Sequence, residues 1–200
     1  MTVDSSTFAA VFFFLYLAVV FVWPSVRTYR QTGINPLTFG PSDSAHDFTG
    51  RCFKVLLAAM ILTIAASWSH ERLYPYLLPA SFLSAPFARW CGILLCSAAL
   101  LWTAVAQHQM GVSWRIGIDE HHKTALHTGG LYSLSRNPVF LGLLTALLGL
   151  FMLLPNALTL VYLVAGYLLI AIQVRLEEEH LLRQHGAVYE HYKARVRRFV

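Results

Sequence analysis

Charged residues are scarce in this 200-residue sequence, because Asp, Glu, Lys and Arg together make up only 12% of it. Soluble domains usually have about twice that fraction, so the composition argues against a water-soluble globule. Cysteine is scarce as well, and Cys52, Cys91 and Cys96 form no CxxC pair. A disulfide framework is therefore not implied. The sequence also has no internal repeat and no low-complexity tail.

Apolar residues account for 56% of the chain and are collected into five blocks. Such blocks predict membrane-spanning helices, and they exclude a soluble Rossmann-type enzyme, whose apolar residues would follow alternating or narrow-stripe patterns. We therefore predict an all-α integral membrane bundle of about five helices that forms a single domain over residues 1–200. The predicted spans are 8–23, 53–69, 90–106, 139–154 and 157–174.

The segments outside these spans support three further predictions. Pro75, Pro79 and Pro86 interrupt the apolar segment 73–88, so we expect a re-entrant or interfacial segment there instead of one straight helix. Only two residues separate spans four and five, which predicts an antiparallel helical hairpin. Residues 175–200 are predicted to form an amphipathic helix that either closes a pocket or lies on the membrane surface.

The chain carries a net charge of +5 with histidine neutral. In so apolar a chain, basic cytoplasmic loops explain this excess better than nucleic-acid binding does. With five spans, Arg72 and Arg89 are the two basic residues that fall opposite all the others. The positive-inside rule then predicts an N-terminus outside and a C-terminus in the cytoplasm, with a bacterial inner membrane as the expected location. Positive charge follows the first apolar block, so this block is expected to be retained.

Two polar segments on the predicted cytoplasmic side are candidates for a functional site. The first, GGLYSLSRNPVFLG, leads into the fourth span and contains Arg136. The second, RLEEEHLLRQHGAVYEHYKARVRRF, follows the fifth span and begins at Arg175. Three carboxylates so close to the apolar end of a membrane helix are costly unless a cation or a ligand pairs with them. Taken singly, each of these residues is better explained as an interfacial anchor, a solvated helix start or a turn.

In this order and spacing, the two segments resemble the integral-membrane methyltransferases that include isoprenylcysteine carboxyl methyltransferase and phospholipid N-methyltransferases. The family pattern has Gly, Tyr, then Arg followed by His or Asn and Pro, and later a Glu-Glu pair and a Gly-x-x-Tyr-x-x-Tyr stretch. The motif resemblance covers residues 110–200. Asn137 stands where the carboxyl methyltransferases usually have His, and Phe140 stands where Tyr is common. The Asn form resembles the phospholipid-type and bacterial members.

The resemblance implies S-adenosylmethionine as the cofactor, held in a cytoplasmic pocket between the Arg-Asn-Pro segment and the helix with the glutamate pair. Cations and N–H donors suit the cofactor's carboxylate, and carboxylates suit its amino and hydroxyl groups. Pro138 is expected to start the fourth span and to leave free N–H groups facing the pocket. A soluble methyltransferase would instead need a glycine-rich turn, which is absent. By motif position, the catalytic roles fall to Arg136 and Glu178, cofactor binding to Gly130, Tyr132, Arg136, Asn137, Pro138, Glu177 and Glu178, and substrate binding to Arg175 and Tyr189.

The predicted activity is methyl transfer to a lipophilic acceptor: an isoprenylcysteine-type carboxylate, a phospholipid amine or a small thiol. An amine needs a base, for which Glu178 or a nearby histidine is the candidate. Membrane lipids are the expected partners, without nucleic acid. Two alternatives are a di-iron oxidase or desaturase, suggested by the Glu177-x-x-His180 spacing, and a non-enzymatic membrane scaffold. No metal site is predicted, and no role is assigned to His46, His121, His122 and His127.

Overall fold

The fold is an all-α bundle of long apolar helices. The computed structural model describes residues 4–68, 72–83, 85–119, 122 and 124–200. Four of its described helices, α1, α2, α3 and α5, are long and apolar enough to cross a membrane, and the apolar helix α4 is shorter. The bounds are α1 Ser5–Thr32, α2 Ala45–Ser67, α3 Pro86–Met110, α4 Pro138–Leu153, α5 Ala157–His185 and α6 Ala187–Arg195.

The helices run back and forth, so that the chain connections lie at two opposite ends of the bundle. At one end, the hydroxyl of Ser6 donates to the carbonyl oxygen of Ser67 at 3.2 Å. The same end holds the joint between α4 and α5, where Ala80 N–H donates to the carbonyl oxygen of Pro155 at 2.8 Å. We call this the far end. The opposite end, where α3 stops and α4 starts, is called the site end.

Several helices extend beyond the apolar blocks that predicted them. Helix α3 already begins at Pro86, and α5 continues past the fifth apolar block to His185. Glu, Leu, Arg and Gln are all good helix formers, so the chain does not need to break where the apolar block ends. Gly186, with φ 51°, follows the last residue of α5. Residues 175–200 are therefore the end of α5 followed by the short helix α6, not one separate helix as predicted.

The proline-rich segment is not one straight helix. It contains two 3₁₀ turns, Tyr74–Leu77 and Ser81–Leu83, before α3 begins. Because Ala80 is bonded to the α4–α5 joint, the segment lies against the far end of the bundle. Its depth in a membrane stays a prediction.

Helices α3 and α4 pack closely through small residues. A Cβ atom added to Gly149 would lie 2.6 Å from Sγ of Cys96, and one added to Gly92 would lie 3.0 Å from the carbonyl oxygen of Gly149. Such contacts leave no room for larger side chains, and close backbone approach of this kind is typical of membrane helices. The two helices therefore form the tightly packed part of the bundle.

The bundle places polar groups inside and large apolar side chains outside. Leu62 is 70% exposed and Leu101 is 68% exposed, although both lie in the middle of long helices. In the interior, the hydroxyls of Thr63 and Tyr162 are hydrogen-bonded at 2.8 Å. An apolar outer surface with satisfied polar groups inside is the arrangement expected in lipid, so the chain is an integral membrane protein.

Candidate functional site

A cavity of about 550 Å³ runs from the bundle interior to the site end. Most of its lining is apolar and comes from the membrane-spanning parts of α1, α2, α4 and α5. The polar lining is gathered at the site end. It includes Lys54, Arg115, His127, Tyr132, Arg136, Asn137, Gln173, Glu177 and Tyr192.

A cluster of two arginines and one glutamate lies beside this polar end. The Glu178 carboxylate, whose residue is only 6% exposed, accepts from Nη2 of Arg136 at 2.9 Å and from Nη2 of Arg198 at 2.8 Å. The Nε atoms of the same arginines donate to Oε1 at 3.2 and 3.1 Å. Arg198 thus binds both carboxylate oxygens, which is the paired, strong form of an arginine–carboxylate contact, whereas both Arg136 donors bind Oε1. We call Arg136, Glu178 and Arg198 the Glu178 cluster.

Residues 134–137, which we call the Arg-Asn-Pro loop, precede α4 and are hydrogen-bonded to the chain that follows α6. Arg136 N–H donates to the carbonyl oxygen of Arg197 at 2.9 Å, and the Asn137 side-chain amide donates to that of Arg198 at 3.1 Å. The Arg136 guanidinium also donates through Nη1 to the carbonyl oxygens of Lys193 and Val196. Almost all donors of Arg136 are therefore used within the protein.

The first turn of α4 begins beside this loop, at Pro138 as predicted. Asn137 precedes it without capping the helix through its side chain. The amides of Val139 and Phe140 lie in the first turn, where no helical carbonyl is within reach, and both residues line the cavity. The start of α4 therefore offers N–H donors at the polar end.

Two polar side chains at this end, Gln173 and Tyr132, have a buried oxygen atom without a hydrogen-bond partner. Gln173 donates through Nε2 to Oε1 of Glu177 at 2.9 Å, while its own Oε1 is buried without a hydrogen-bond partner. The Tyr132 hydroxyl is also buried without a partner. Burial raises the pKa of Tyr132, so this hydroxyl stays neutral. Buried polar atoms without partners are uncommon, and here they lie around a cavity that a ligand could fill.

Glycine is required at position 130 to place Tyr132. Gly130 has φ 60°, and a Cβ atom there would meet the Gln109 side-chain amide at 2.5 Å. The same amide accepts through Oε1 from Leu131 N–H at 2.8 Å. The glycine thus allows a tight turn that is bonded to the end of α3.

Two tyrosines of α6 pack against the loop. The Tyr192 hydroxyl donates to the carbonyl oxygen of Tyr132 at 2.6 Å. Tyr189 is almost fully buried next to Tyr192, with their ring centres 6.1 Å apart. Burial, followed by the charge of Glu178, raises the pKa of Tyr189 to about 12, so this hydroxyl stays protonated at neutral pH. The hydrogen bond to Glu178 raises the pKa of Arg198, which stays charged.

The structure brings most of the residues assigned by motif together, but not all of them reach the cavity. Tyr132, Arg136, Asn137, Pro138 and Glu177 line it. Gly130 forms the turn before Tyr132, Glu178 belongs to the Glu178 cluster, and Tyr189 is buried on α6 beside Tyr192. Arg175 is exposed and donates to the carbonyl oxygen of Ala171 at 2.6 Å. Arg175 and Tyr189, which were assigned to substrate, are not among the residues that line the cavity.

The structure describes three of the four histidines that have no assigned role, and two of them, His46 and His122, line the same polar pocket. His127 lines the cavity, and His46 accepts from Ile118 N–H at 3.3 Å in a second, polar pocket. His122 forms an ion pair with Asp119 at 3.0 Å, and His121 lies outside the described residues. Across the ranges that the structure describes, no group of three or more His, Cys, Asp or Glu side chains is placed to hold a metal ion.

Two residues of the site were not identified from the sequence. Arg198 belongs to a run of basic residues, and spacing could not show which of them would bind Glu178. Gln173 lies inside an apolar block, and a polar residue in a membrane span is itself a signal of function. That signal could have found Gln173, whereas Arg198 needed the folded chain.

Comparison with known proteins gives one match. Residues 87–188, just over half of the chain, match the family model of phospholipid methyltransferases. No curated protein and no solved structure matches the chain significantly. The matched region contains α3, α4, α5, the Arg-Asn-Pro loop and the glutamate pair. The chain belongs to the phospholipid methyltransferase family, whose members are methyltransferases acting on lipid-type substrates.

Proposed function

We propose that this protein transfers a methyl group from S-adenosylmethionine to a lipophilic acceptor inside the membrane. One observation carries the proposal: the cavity is apolar along most of its length, and its polar end has the unpartnered Tyr132 hydroxyl and Gln173 amide oxygen next to Glu177. A lipid-like acceptor fits the apolar part, and a charged cofactor fits the polar part. Membership of the family supports the methyltransferase activity.

The residues at the polar end fit the cofactor's functional groups. The N–H groups of Val139 and Phe140 suit its carboxylate, because the start of a helix favours anions. Glu177 and the free oxygen of Gln173 suit its amino group or its ribose hydroxyls. When bound, the cofactor supplies a methyl group on a positively charged sulfur. The chain's own contribution is to hold acceptor and methyl group in line for attack.

Glu178 and Arg136 act mainly by holding this site together. Both oxygens of Glu178 already accept from arginines, and Arg136 donates to Glu178 and to two carbonyl oxygens. We therefore propose that their effect on the reaction is to fix the Arg-Asn-Pro loop. The role of a base, for which Glu178 or a nearby histidine was the candidate from the sequence, is proposed for Glu177.

Among the acceptors considered, an amine suits this site best. Glu177 lines the cavity and accepts a hydrogen bond from the neutral Gln173 amide at 2.9 Å. A carboxylate acceptor would be repelled by Glu177, whereas a protonated amine would be attracted. The amine would give one proton to the Glu177 carboxylate. Its nitrogen would then bond to the methyl carbon as the carbon–sulfur bond breaks, leaving a neutral sulfide.

We also propose that the site end faces the cytoplasm, where the cofactor is made. The far end holds Arg72 and Arg89, which lie on the segment after α2 and at the start of α3. Among the residues that the structure describes, the other basic residues lie toward the site end, as the positive-inside rule expects of a cytoplasmic face. An apolar acceptor would then enter from the bilayer.

Calorimetric binding of S-adenosylmethionine to the detergent-purified protein tests the proposal. The unmodified protein is expected to bind at micromolar concentration, and Glu177→Gln is expected to weaken binding about tenfold because it removes a charged acceptor. Glu179→Gln is the matched control, since Glu179 is exposed two positions away on the same helix. A folded, unmodified protein that binds no cofactor would contradict the proposal.

A further inference from the structure

The chain after α6 crosses over the Arg-Asn-Pro loop. We call residues 196–200 the strap. Its carbonyl oxygens accept from three kinds of donor on the loop: Arg136 N–H at 2.9 Å, the Ser135 hydroxyl at 3.3 Å and the Asn137 amide at 3.1 Å. The acceptors of these three bonds belong to Arg197 and Arg198, and the carbonyl oxygen of Val196 accepts from the Arg136 guanidinium as well. Backbone oxygens make these bonds, so the strap must occupy one position for the loop to be satisfied.

One side chain of the strap ties it to α5. The Arg198 guanidinium donates to both oxygens of Glu178, at 2.8 and 3.1 Å. Its side chain is only 34% exposed, and that of Glu178 only 7%, so water screens this ion pair less than an ordinary surface pair. The neighbouring Arg197 gives the loop its carbonyl oxygen, and the residue is exposed.

The loop depends on the strap for much of its bonding. Ser135 and Asn137 are both buried, and their side chains donate to the same carbonyl oxygen, that of Arg198. If the strap moved away, these donors and the Arg136 N–H would lose their acceptors in a buried position, which is costly. The first residue of α4, Pro138, comes directly after this loop, and both line the polar end of the cavity.

We propose that Arg198 is a positioning residue of the active site. By binding Glu178, it fixes the strap across the loop, and the strap fixes Arg136, Asn137 and the first turn of α4 at the polar end of the cavity. Arg198 is not among the residues that line the cavity, so its effect is transmitted through these residues. The inference rests on the proposed function in one respect: the ligand whose site is fixed is S-adenosylmethionine.

The first test needs no ligand. Hydrogen exchange, followed by mass spectrometry of peptides that cover residues 131–141, reports the protection of the Arg136 amide. Arg198→Gln is expected to speed this exchange at least about tenfold, while peptides of α2 and α3 stay unchanged. Arg197→Gln is the matched control, because it changes an adjacent arginine but keeps the carbonyl oxygen that the loop uses.

The second test measures cofactor binding in the unmodified protein, in Arg198→Gln and Arg197→Gln, and in one further variant, Arg198→Lys. We expect Arg198→Gln to weaken binding of S-adenosylmethionine about tenfold or more, and Arg197→Gln to bind like the unmodified protein. Arg198→Lys should recover part of the affinity, because lysine restores the charge without the paired geometry. A general loss of stability would not be repaired selectively in this way, and Arg198→Lys also serves if Arg198→Gln does not fold.

The outcomes separate this inference from the proposed function. If the unmodified protein binds the cofactor and Arg198→Gln binds equally well, the positioning role is overturned while the proposed function stands. Faster exchange with unchanged affinity would overturn it too, because the strap would then be only structural. If the unmodified protein binds no cofactor, the proposed function fails, and the exchange comparison alone decides whether Arg198 fixes the loop.

Discussion

At the scale of single residues, three consecutive glutamates of α5 have three different environments. Glu177 lines the cavity, Glu178 is held by two arginines, and Glu179 is exposed. Successive residues of a helix point about 100° apart, so one orientation of α5 separates all three. A single helical turn therefore supplies one carboxylate that faces the cavity and one that joins the Arg-Asn-Pro loop to Arg198.

A single methyl group at position 130 should disturb the site. Gly130→Ala puts a Cβ atom at φ 60° and against the Gln109 amide, and the left-handed conformation alone costs about 1–2 kcal/mol. We expect a lower melting temperature in detergent and weaker cofactor binding, because the turn that leads to Tyr132 shifts.

Gly129→Ala is the control for this substitution. Gly129 has φ −97°, and nothing lies within 4 Å of an added Cβ atom there. Equal losses in the two variants would show that the turn is sensitive to any side chain, and not to the geometry at Gly130.

The sequence predicted which residues lie close together better than which of them line the cavity. Motif order found Arg136, Asn137 and Glu177, since these positions are close to two chain segments that any bundle of this order brings together. It could not find that Glu178 is bonded to Arg198, because the strap is positioned by backbone hydrogen bonds and not by a side-chain pattern. Which carboxylate faces the cavity depends on the rotation of α5, and the uniform run of glutamates contains no signal for it.

At the scale of helices, the pair α3 and α4 gives the site end its rigid support. The two helices approach through Gly92, Cys96 and Gly149, and the indole N–H of Trp102 donates to the carbonyl oxygen of Pro138 at 2.9 Å. That bond ties α3 to the first turn of α4. A change in the packing of α3 against α4 is therefore expected to shift the Arg-Asn-Pro loop, even when no residue of the loop is substituted.

Gly149→Val should separate these helices. The new side chain would meet Sγ of Cys96 at 2.6 Å and its backbone nitrogen at 3.0 Å, and overpacking of a tight interior typically costs about 1–3 kcal/mol. We expect a melting temperature several degrees lower in the purified protein. Leu148→Val, at an adjacent position that is 39% exposed, should change it little. A melting temperature for Gly149→Val equal to that of Leu148→Val would mean that α4 can shift freely along α3.

Helix number and order followed from the apolar blocks, whereas helix ends did not. Blocks of apolar residues mark the part of a helix that lies in lipid, and α5 shows why this part is not the whole helix. It continues through the three glutamates to His185, because these residues are good helix formers and a helix makes its own backbone hydrogen bonds in water as well as in lipid. Hydropathy contains no information on where such a helix stops.

At the scale of the whole molecule, the cavity has an apolar part inside the bundle and a polar part at the site end. Val22 of α1 and Leu57 of α2 line its apolar part, and both residues are exposed. Its polar part ends at Glu177 and the start of α4. Under the proposed function, the acceptor and the cofactor would bind in these two different parts of one cavity.

Filling the apolar part should block the acceptor and leave the cofactor in place. Leu143 lines the cavity and is partly buried, so Leu143→Trp is expected to lower transfer of labelled methyl groups into extracted lipids at least about tenfold. Binding of S-adenosylmethionine should stay within about twofold of the unmodified protein. Leu148→Trp, which faces outward, is the control. Loss of cofactor binding in Leu143→Trp would show that the two parts of the cavity are not independent.

The Glu178 cluster joins positions 136, 178 and 198, and this spacing has a consequence for how the protein is made. During synthesis, α5 is complete before Arg198, the second arginine that pairs with the buried Glu178 carboxylate, has been added to the chain. Until Arg198 leaves the ribosome, Glu178 lacks the partner of its Oε2 atom, and the Arg-Asn-Pro loop lacks the carbonyl oxygens that accept from it. The loop therefore gains these contacts only after residues 196–198 have been made.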